Sequence, residues 1–165
     1  MQNIIKKYIL LFLIILCLIF IFFNSFKNAE QSRADSGRVV EIIEKVVDAV
    51  CQGNPPEKLD SFLVTASRNV LRNYAHFLEF FILGILTMLY SYSKFKVAIF
   101  KRLSFVFLFC ILIALIDETI QFFSPGRAFE LYDLLLDGLG SIIGVILILL
   151  LHKIKERRKY KEIPE

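Results

Sequence analysis

The chain has 165 residues, of which 56% are hydrophobic and only 22% charged, and its mean hydropathy is +0.62. These values exclude an ordinary soluble domain and are typical of a small integral membrane protein that forms one helical bundle. The net charge of +4 does not indicate nucleic-acid binding, because the basic surplus lies beside hydrophobic segments, at Lys6-Lys7, residues 94–102 and residues 153–161.

The first predicted element is a transmembrane helix over about residues 6–26. Lys6 and Lys7 precede the long apolar run of residues 8–23, which is the charge layout of a signal peptide. The run is longer than the core of a signal peptide, and no A-x-A cleavage site follows it. We therefore expect the segment to be retained as a membrane helix.

Residues 27–68 are polar, with balanced charges, and are predicted to form an outer loop. Within this loop, residues 36–50 have the periodicity of an amphipathic helix that lies on the outer bilayer surface or caps the bundle. Its apolar stripe comprises Val39, Ile43, Val46, Val47 and Val50. Pro55-Pro56 ends this helix, and a separate short helix is predicted over residues 57–64.

Three further transmembrane helices are predicted over about residues 69–92, 101–123 and 131–152, followed by a basic tail over residues 153–165. The positive-inside rule places the basic loop between the second and third helices, and both termini, in the cytoplasm. The fold prediction is one all-α domain over residues 1–165, an integral membrane four-helix bundle with an extracytoplasmic amphipathic helix in its first loop. The expected location is the plasma membrane.

Polar and ionisable side chains gather in the outer halves of the last three predicted helices and in the turn above them. The set comprises His76, Glu79, Asp117, Glu118, Gln121, Arg127, Asp133 and Asp137. Each charge near the bilayer centre costs about 2.5 to 3.5 kcal/mol on insertion scales, so such a group indicates a site or a pairing network. Members on the same helix are about one turn apart, so the three helices can present them to a shared cavity.

The acids of this set outnumber the nearby cationic groups Arg72, Arg127 and His76. Protonated carboxyl groups, a bound divalent cation or a cationic ligand group can balance the excess. The candidate metal ligands are Asp117, Asp133 and Asp137, with at most His76 as a nitrogen ligand. This mainly oxygen set suits Mg²⁺, Mn²⁺ or Ca²⁺ better than structural zinc.

Several of these residues also have a purely structural interpretation. Asp133 can cap the fourth helix, His76 can be a hydrogen-bonded packing residue, and Glu118 can form an ion pair with the arginine of the following turn. The Gly140-xxx-Gly144 motif predicts close helix packing and not ligand contact.

Three spaced motifs carry a resemblance to a known family. They are Arg72-x-x-x-His76-Phe77-x-Glu79-Phe80, Asp117-Glu118-x-x-Gln121-Phe122-x-x-Pro125-Gly126-Arg127 and Asp133-x-x-x-Asp137-x-x-Gly140-x-x-x-Gly144. Over most of the chain they resemble the VanZ-like family of bacterial integral membrane proteins. Asn73 stands where a lysine is common in that family, and Asp137 stands where an asparagine is common, so this chain carries one more acid in the site.

The resemblance implies a role in the bacterial cell envelope, since the founding member is associated with teicoplanin resistance and relatives with lipoglycopeptide and lipopeptide tolerance. It does not supply an activity. The favoured hypothesis is a non-catalytic protein whose outward-facing acidic pocket binds an envelope lipid, a cell-wall precursor or a glycopeptide antibiotic group. The alternative is a membrane-embedded, divalent-cation-dependent enzyme acting on a lipid-linked phosphate or glycan, with Glu118 or Glu79 as general base and Arg127 holding a phosphate or carboxylate.

Overall fold

The structure, a computed structural model, describes residues 2–50 and 57–161, and every regular element in those ranges is a helix. The helices are α1 Gln2–Ser25, α2 Ala29–Val50, α3 Glu57–Lys94, α4 Ile99–Phe123 and α5 Leu131–Lys161. Segments long and apolar enough to cross a membrane are Ile4–Ser25, Val70–Lys94, Ile99–Phe123 and Leu131–Arg158. The prediction of an all-helical bundle with four helices of membrane-spanning length is confirmed.

Two predicted boundaries are wrong. The short helix expected over residues 57–64 is instead the beginning of α3, which continues for 38 residues to Lys94. No glycine or proline interrupts residues 57–83, so the helix has no local reason to stop where the polar sequence becomes apolar. For the same reason α5 does not end near residue 152 but continues through the basic tail to Lys161. Pro55-Pro56 lies outside the described residues.

The first loop contains the expected helix, but this helix begins earlier than predicted. Asn28 caps it, because its side-chain oxygen accepts from the Gln31 backbone N–H at 2.8 Å, while the Gln31 side chain accepts from the Asn28 backbone N–H at 3.2 Å. The backbone N–H of Ala29 donates to the Pro125 carbonyl at 3.1 Å. The start of α2 is therefore tied to the turn between α4 and α5.

The amphipathic stripe predicted on α2 stays a prediction. Val39 and Val46 are exposed, at 43% and 58%. The other members, Ile43, Val47 and Val50, have side chains that lie outside the described residues.

Helix α3 is the centre of the bundle and packs most closely against α5. A Cβ atom added at Gly140 would lie 2.3 Å from the Phe77 carbonyl oxygen, and one added at Gly144 would lie 2.3 Å from the Phe81 carbonyl oxygen. On the facing helix, a Cβ at Gly84 would lie 2.4 Å from an α5 carbonyl oxygen. Only glycine permits this backbone approach, so the packing role predicted for Gly140-xxx-Gly144 is confirmed.

Arg102 differs from the other basic residues near the connection between α3 and α4. The neighbouring lysines are exposed, whereas Arg102 is buried, with its guanidinium carbon 4.0 Å from the centre of the Tyr92 ring. Its guanidinium donates to the Phe95 carbonyl at 3.0 Å and to the Ser91 hydroxyl at 3.4 Å. The predicted basic loop therefore holds one arginine with a packing role, which charge counting does not reveal.

Apolar side chains cover the outside of the four long helices. Phe23, Leu108 and Leu135 are 64%, 71% and 65% exposed, which is unfavourable in water and favourable against lipid. The buried acids lie instead inside the bundle, at the end where α1 and α4 finish and α5 begins. We call this the site end.

Candidate functional site

The structure brings the predicted site residues to the site end. Those with 8% exposure or less are His76, Glu79, Asp117, Glu118, Gln121, Asp133 and Asp137. Arg127 is half-buried in the turn above them. Helix α3 supplies His76 and Glu79, α4 supplies the three between residues 117 and 121, and α5 supplies the two remaining aspartates. One-turn spacing puts the polar groups of each helix on its inward face.

Asp117 is held on both carboxylate oxygens. The Ser25 hydroxyl, at the end of α1, donates to one oxygen, and the Gln121 amide donates to the other at 2.6 Å. The guanidinium of Arg127 donates in turn to the Gln121 side-chain oxygen and, at 3.5 Å, to the Asn24 carbonyl. Side chains from α1 and α4 and from the α4–α5 turn thus fix the orientation of Asp117.

Arg127 keeps its charge in this setting. Burial lowers the pKa of its guanidinium, and the positive charge of Arg72 lowers that pKa further. The ordinary pKa of arginine is so high that the group stays protonated at any physiological pH. The turn therefore places a permanent cation at the site end.

Glu118 caps the beginning of α5. Its carboxylate accepts from the backbone N–H of Glu130 at 2.9 Å, directly before α5 begins at Leu131. The ion pair considered for Glu118 and Arg127 is not formed among the described residues, because the arginine contacts an amide and a carbonyl instead.

Asp133 does not cap α5, although the sequence allows that interpretation. Its carboxylate is 1% exposed and accepts from the guanidinium of Arg72, which reaches it from α3. Arg72 also lies 3.5 Å from the exposed carboxylate of Glu130. The buried ion pair links α3 to α5 at the site end.

His76 lies among three carboxylates without hydrogen-bonding any of them at normal distance. Its Nδ1 is 3.4 Å from Asp137 Oδ1 and 3.8 Å from Asp117 Oδ2, while its Nε2 is 3.9 Å from Asp133 Oδ2. Among the residues that the structure describes, His76 Nδ1 and both carboxylate oxygens of Asp137 have no hydrogen-bond partner. The packing role considered for His76 would require a partner for that buried nitrogen.

A cavity of about 540 Å³ opens beside this cluster, between α1, α2 and α3. Of the predicted site residues, those that line it are His76, Glu79, Asp117, Gln121 and Arg127. Glu118, Asp133 and Asp137 are not among its lining residues, so the structure divides the predicted set into a cavity wall and a layer behind it. Of the two candidate general bases, only Glu79 faces the cavity.

The contribution of α1 was not predicted. Asn24 donates to the Glu79 carboxylate at 2.7 Å, Ser25 contacts Asp117, and the carbonyl of Ser25 accepts from the Ser124 hydroxyl at 2.9 Å. The available signal was that Asn24-Ser25 ends an otherwise apolar run at the same level as the other polar groups.

Comparison with protein families gives a match to the model described as VanZ/LLP1, over residues 10–152. Comparisons with curated proteins and with solved structures gave no match. The matched range includes every residue of the predicted site.

Proposed function

Because this chain belongs to the VanZ/LLP1 family, we propose that it contributes to glycopeptide or lipoglycopeptide resistance by binding an amphiphilic envelope molecule at the site end. The family is one of membrane proteins linked to glycopeptide resistance, and the four long apolar helices make this chain a multi-pass membrane protein. The binding function and its location in the plasma membrane are our proposal.

The observation that carries the proposal is the composition of the cavity wall. One part is polar and includes His76 and Asp117, while the other is apolar and includes Phe20, Leu78 and Ile82 of α1 and α3. The apolar side chains are about half exposed, at 58%, 50% and 47%, so this part of the cavity reaches the lipid-facing surface. A molecule with a polar group and a hydrocarbon chain suits both parts, as do envelope lipids, lipid-linked cell-wall precursors and lipoglycopeptides.

The polar part carries charges of both signs and is not uniformly acidic. Its acids are Asp35, Glu79 and Asp117, and its cations are Lys27, Arg72 and Arg127, together with His76. Lys27 pairs with Asp35 at 2.7 Å at the rim, and the hydrogen bond from Lys27 holds the pKa of Asp35 below its usual value. Arg127, by contrast, contacts no carboxylate of the described residues within ion-pair distance, so it is available to a phosphate or carboxylate of the ligand.

The proposed orientation places the site end on the outer side of the membrane. Lys6-Lys7 begin α1, residues 94–102 join α3 to α4, and residues 153–161 end α5, so all three basic clusters lie at the opposite end of the bundle. The positive-inside rule supports a cytoplasmic position for that end. The cavity would then open where envelope lipids and cell-wall precursors are found.

We expect Ile82→Trp to displace the bound amphiphile, because the larger ring fills the apolar part of the cavity without removing a charge. Lipid retained by protein purified in mild detergent should fall about tenfold, which corresponds to about 1.4 kcal/mol of binding free energy. Quantitative mass spectrometry of the lipid extract measures this, and teicoplanin susceptibility of cells expressing the variant measures the consequence.

Leu112→Trp is the matched control. Leu112 is 53% exposed on α4 and does not line the cavity, so this variant should retain lipid and resistance. Equal retention by both variants at equal abundance would contradict the proposed binding mode.

A second candidate function is a membrane-embedded, divalent-cation-dependent enzyme acting on a lipid-linked phosphate or glycan. The observation in its favour is that Glu79 lines the cavity together with Arg127, while a single hydrogen bond from Asn24 orients its carboxylate. Glu79 can thus serve as general base towards a substrate that the arginine holds.

The enzyme hypothesis predicts turnover of a lipid-linked phosphate or glycan by the purified protein in the presence of Mg²⁺ or Mn²⁺. Glu79→Gln should reduce the rate about 10²- to 10⁴-fold, the usual contribution of a general base. Glu118→Gln should have a smaller effect on the rate, because Glu118 does not face the cavity. Absence of turnover with both substrate classes would exclude this function.

A further inference from the structure

Three side chains from three different helices converge at the inner wall of the cavity, His76 and Asp117 in the wall itself and Asp137 behind it. One potential ligand atom from each of His76, Asp117 and Asp137 lies within 4.8 Å of the others. The histidine Nδ1 is 3.4 Å from an oxygen of Asp137 and 3.8 Å from an oxygen of Asp117. These separations are long for hydrogen bonds, but they are close to the roughly 3 to 3.6 Å between neighbouring ligand atoms on one ion with bonds of about 2.0 to 2.2 Å.

Asp137 provides the second, independent observation. It is fully buried, yet neither of its carboxylate oxygens has a hydrogen-bond partner among the described residues. Asp117, Glu118 and Asp133 each accept at least one hydrogen bond, from Ser25 and Gln121, from a backbone N–H and from Arg72 respectively, although one oxygen of Glu118 and one of Asp133 have no partner among the described residues. Asp137 differs in that both of its oxygens lack one. The only charged contact of Asp137 among the described residues is the one to His76 Nδ1 at 3.4 Å, and neither group is hydrogen-bonded. A buried carboxylate is strongly unfavourable without close partners, so a cation that contacts both groups would satisfy them better than this long contact does.

We propose that His76, Asp117 and Asp137 bind one divalent metal cation at the inner wall of the cavity. Two carboxylates balance the charge of such an ion, and the imidazole nitrogen adds a neutral ligand. One nitrogen and two carboxylate ligands suit a first-row ion such as Mn²⁺ or Zn²⁺ better than Ca²⁺ or Mg²⁺, which prefer oxygen alone.

The proposed ligand set corrects the candidates taken from the sequence. His76 takes the place of Asp133, because the ligand atoms of His76, Asp117 and Asp137 lie within 4.8 Å of one another and Asp133 is outside this group. His76 and Asp117 also line the cavity, so the ion would lie at its inner wall, within reach of the polar group of a bound molecule. The metal site goes beyond the proposed lipid-binding function, and a resident divalent cation is what the second candidate function requires.

The test uses the full chain purified in detergent, stripped of metal with a chelator, loaded with Mn²⁺ and desalted. We expect about one manganese per chain by elemental mass spectrometry, and an imidazole-nitrogen coupling in the pulsed electron paramagnetic resonance spectrum. Asp137→Asn and His76→Gln should each reduce the retained manganese by about tenfold or more, since even residues that only support metal ligands give losses of that size.

Asp35→Asn is the matched control, because it removes the same charge from the rim of the cavity but lies outside the proposed ligand set. It should retain manganese like the unmodified chain. Manganese no higher than in a protein-free blank would overturn the proposal, as would an equal loss in Asp35→Asn. Manganese bound without nitrogen coupling would also overturn it, and this readout needs no variant to fold. The metal content is measured without lipid, so a failed lipid-binding experiment leaves the result interpretable.

Discussion

Replacing Gly140 with valine is expected to lower the ratio of folded to unfolded protein by roughly a hundredfold. Overpacking a core costs about 1 to 3 kcal/mol when flexible neighbours can adjust. At this position the neighbour is the backbone carbonyl of Phe77, 2.3 Å from the added Cβ, so α3 and α5 must move apart as whole helices. The expected destabilisation is therefore about 3 kcal/mol, at the upper end of that range. Thermal unfolding followed by size-exclusion chromatography measures it.

The chain offers a control on the same helix. A Cβ at Gly138 meets nothing within 4 Å among the described residues, so Gly138→Ala should unfold at or slightly above the temperature of the unmodified protein, since alanine favours the helix more than glycine does. Gly140→Ala should already unfold at a lower temperature, because the clash arises at the Cβ itself. Equal unfolding temperatures for Gly138→Ala and Gly140→Ala would contradict the claim that Gly140 is needed for the close approach of α3 and α5.

Arg72→Met is expected to destabilise the protein by about 3 kcal/mol, the lower end of the roughly 3 to 5 kcal/mol that breaking a buried ion pair costs, because Asp133 is buried but the Arg72 side chain is 31% exposed. Asp133 is 1% exposed and accepts from the Arg72 guanidinium, and the other carboxylate near Arg72, that of Glu130, is too exposed to suffer from the loss. The free energy of unfolding in mixed detergent micelles measures the effect.

Removing both charges should restore most of this loss. Arg72→Met combined with Asp133→Leu removes both members of this pair and so strands neither charge, and apolar replacements of buried ion pairs are often neutral. Lys45→Met, which breaks an exposed pair with Glu41, should have no measurable effect on unfolding. A double variant as unstable as Arg72→Met would show that the ion pair itself, and not the stranded aspartate, determines the stability.

The sequence was sufficient to predict the four long apolar helices and the end of the bundle at which the polar groups gather. Long apolar runs define the membrane helices, and one-turn spacing identifies the inward faces that carry His76, Asp117 and Asp137. Helix ends were less predictable. At the start of α3 and the end of α5, continuous helix-forming sequence carries the helix past the change from apolar to polar residues.

The pairing of the site residues could not be predicted, because it depends on how far each helix is rotated and how closely it packs. The contacts at Gly140 and Gly144 bring α5 against α3, and this approach places Asp133 beside Arg72. Glu118 then caps α5, a function that the sequence had offered to Asp133. At the other end of the bundle, contacts with the end of α3 bury Arg102, which charge counting treats as one of several exposed basic residues.

The links between the end of α1 and the turn after α4 also set the order in which the site can form. Ser25 accepts from Ser124, 99 residues later, and donates to Asp117, 92 residues later. At about 5 to 20 residues per second of synthesis, α1 is complete roughly 5 to 20 seconds before its partners have been translated. During this interval Ser25 lacks its partners Asp117 and Ser124. Asp117 can contact Ser25 only after α4 has been inserted beside α1. Assembly of the site is therefore expected late in membrane insertion, and a chain truncated before Ser124 would lack Arg127 and the two aspartates of α5.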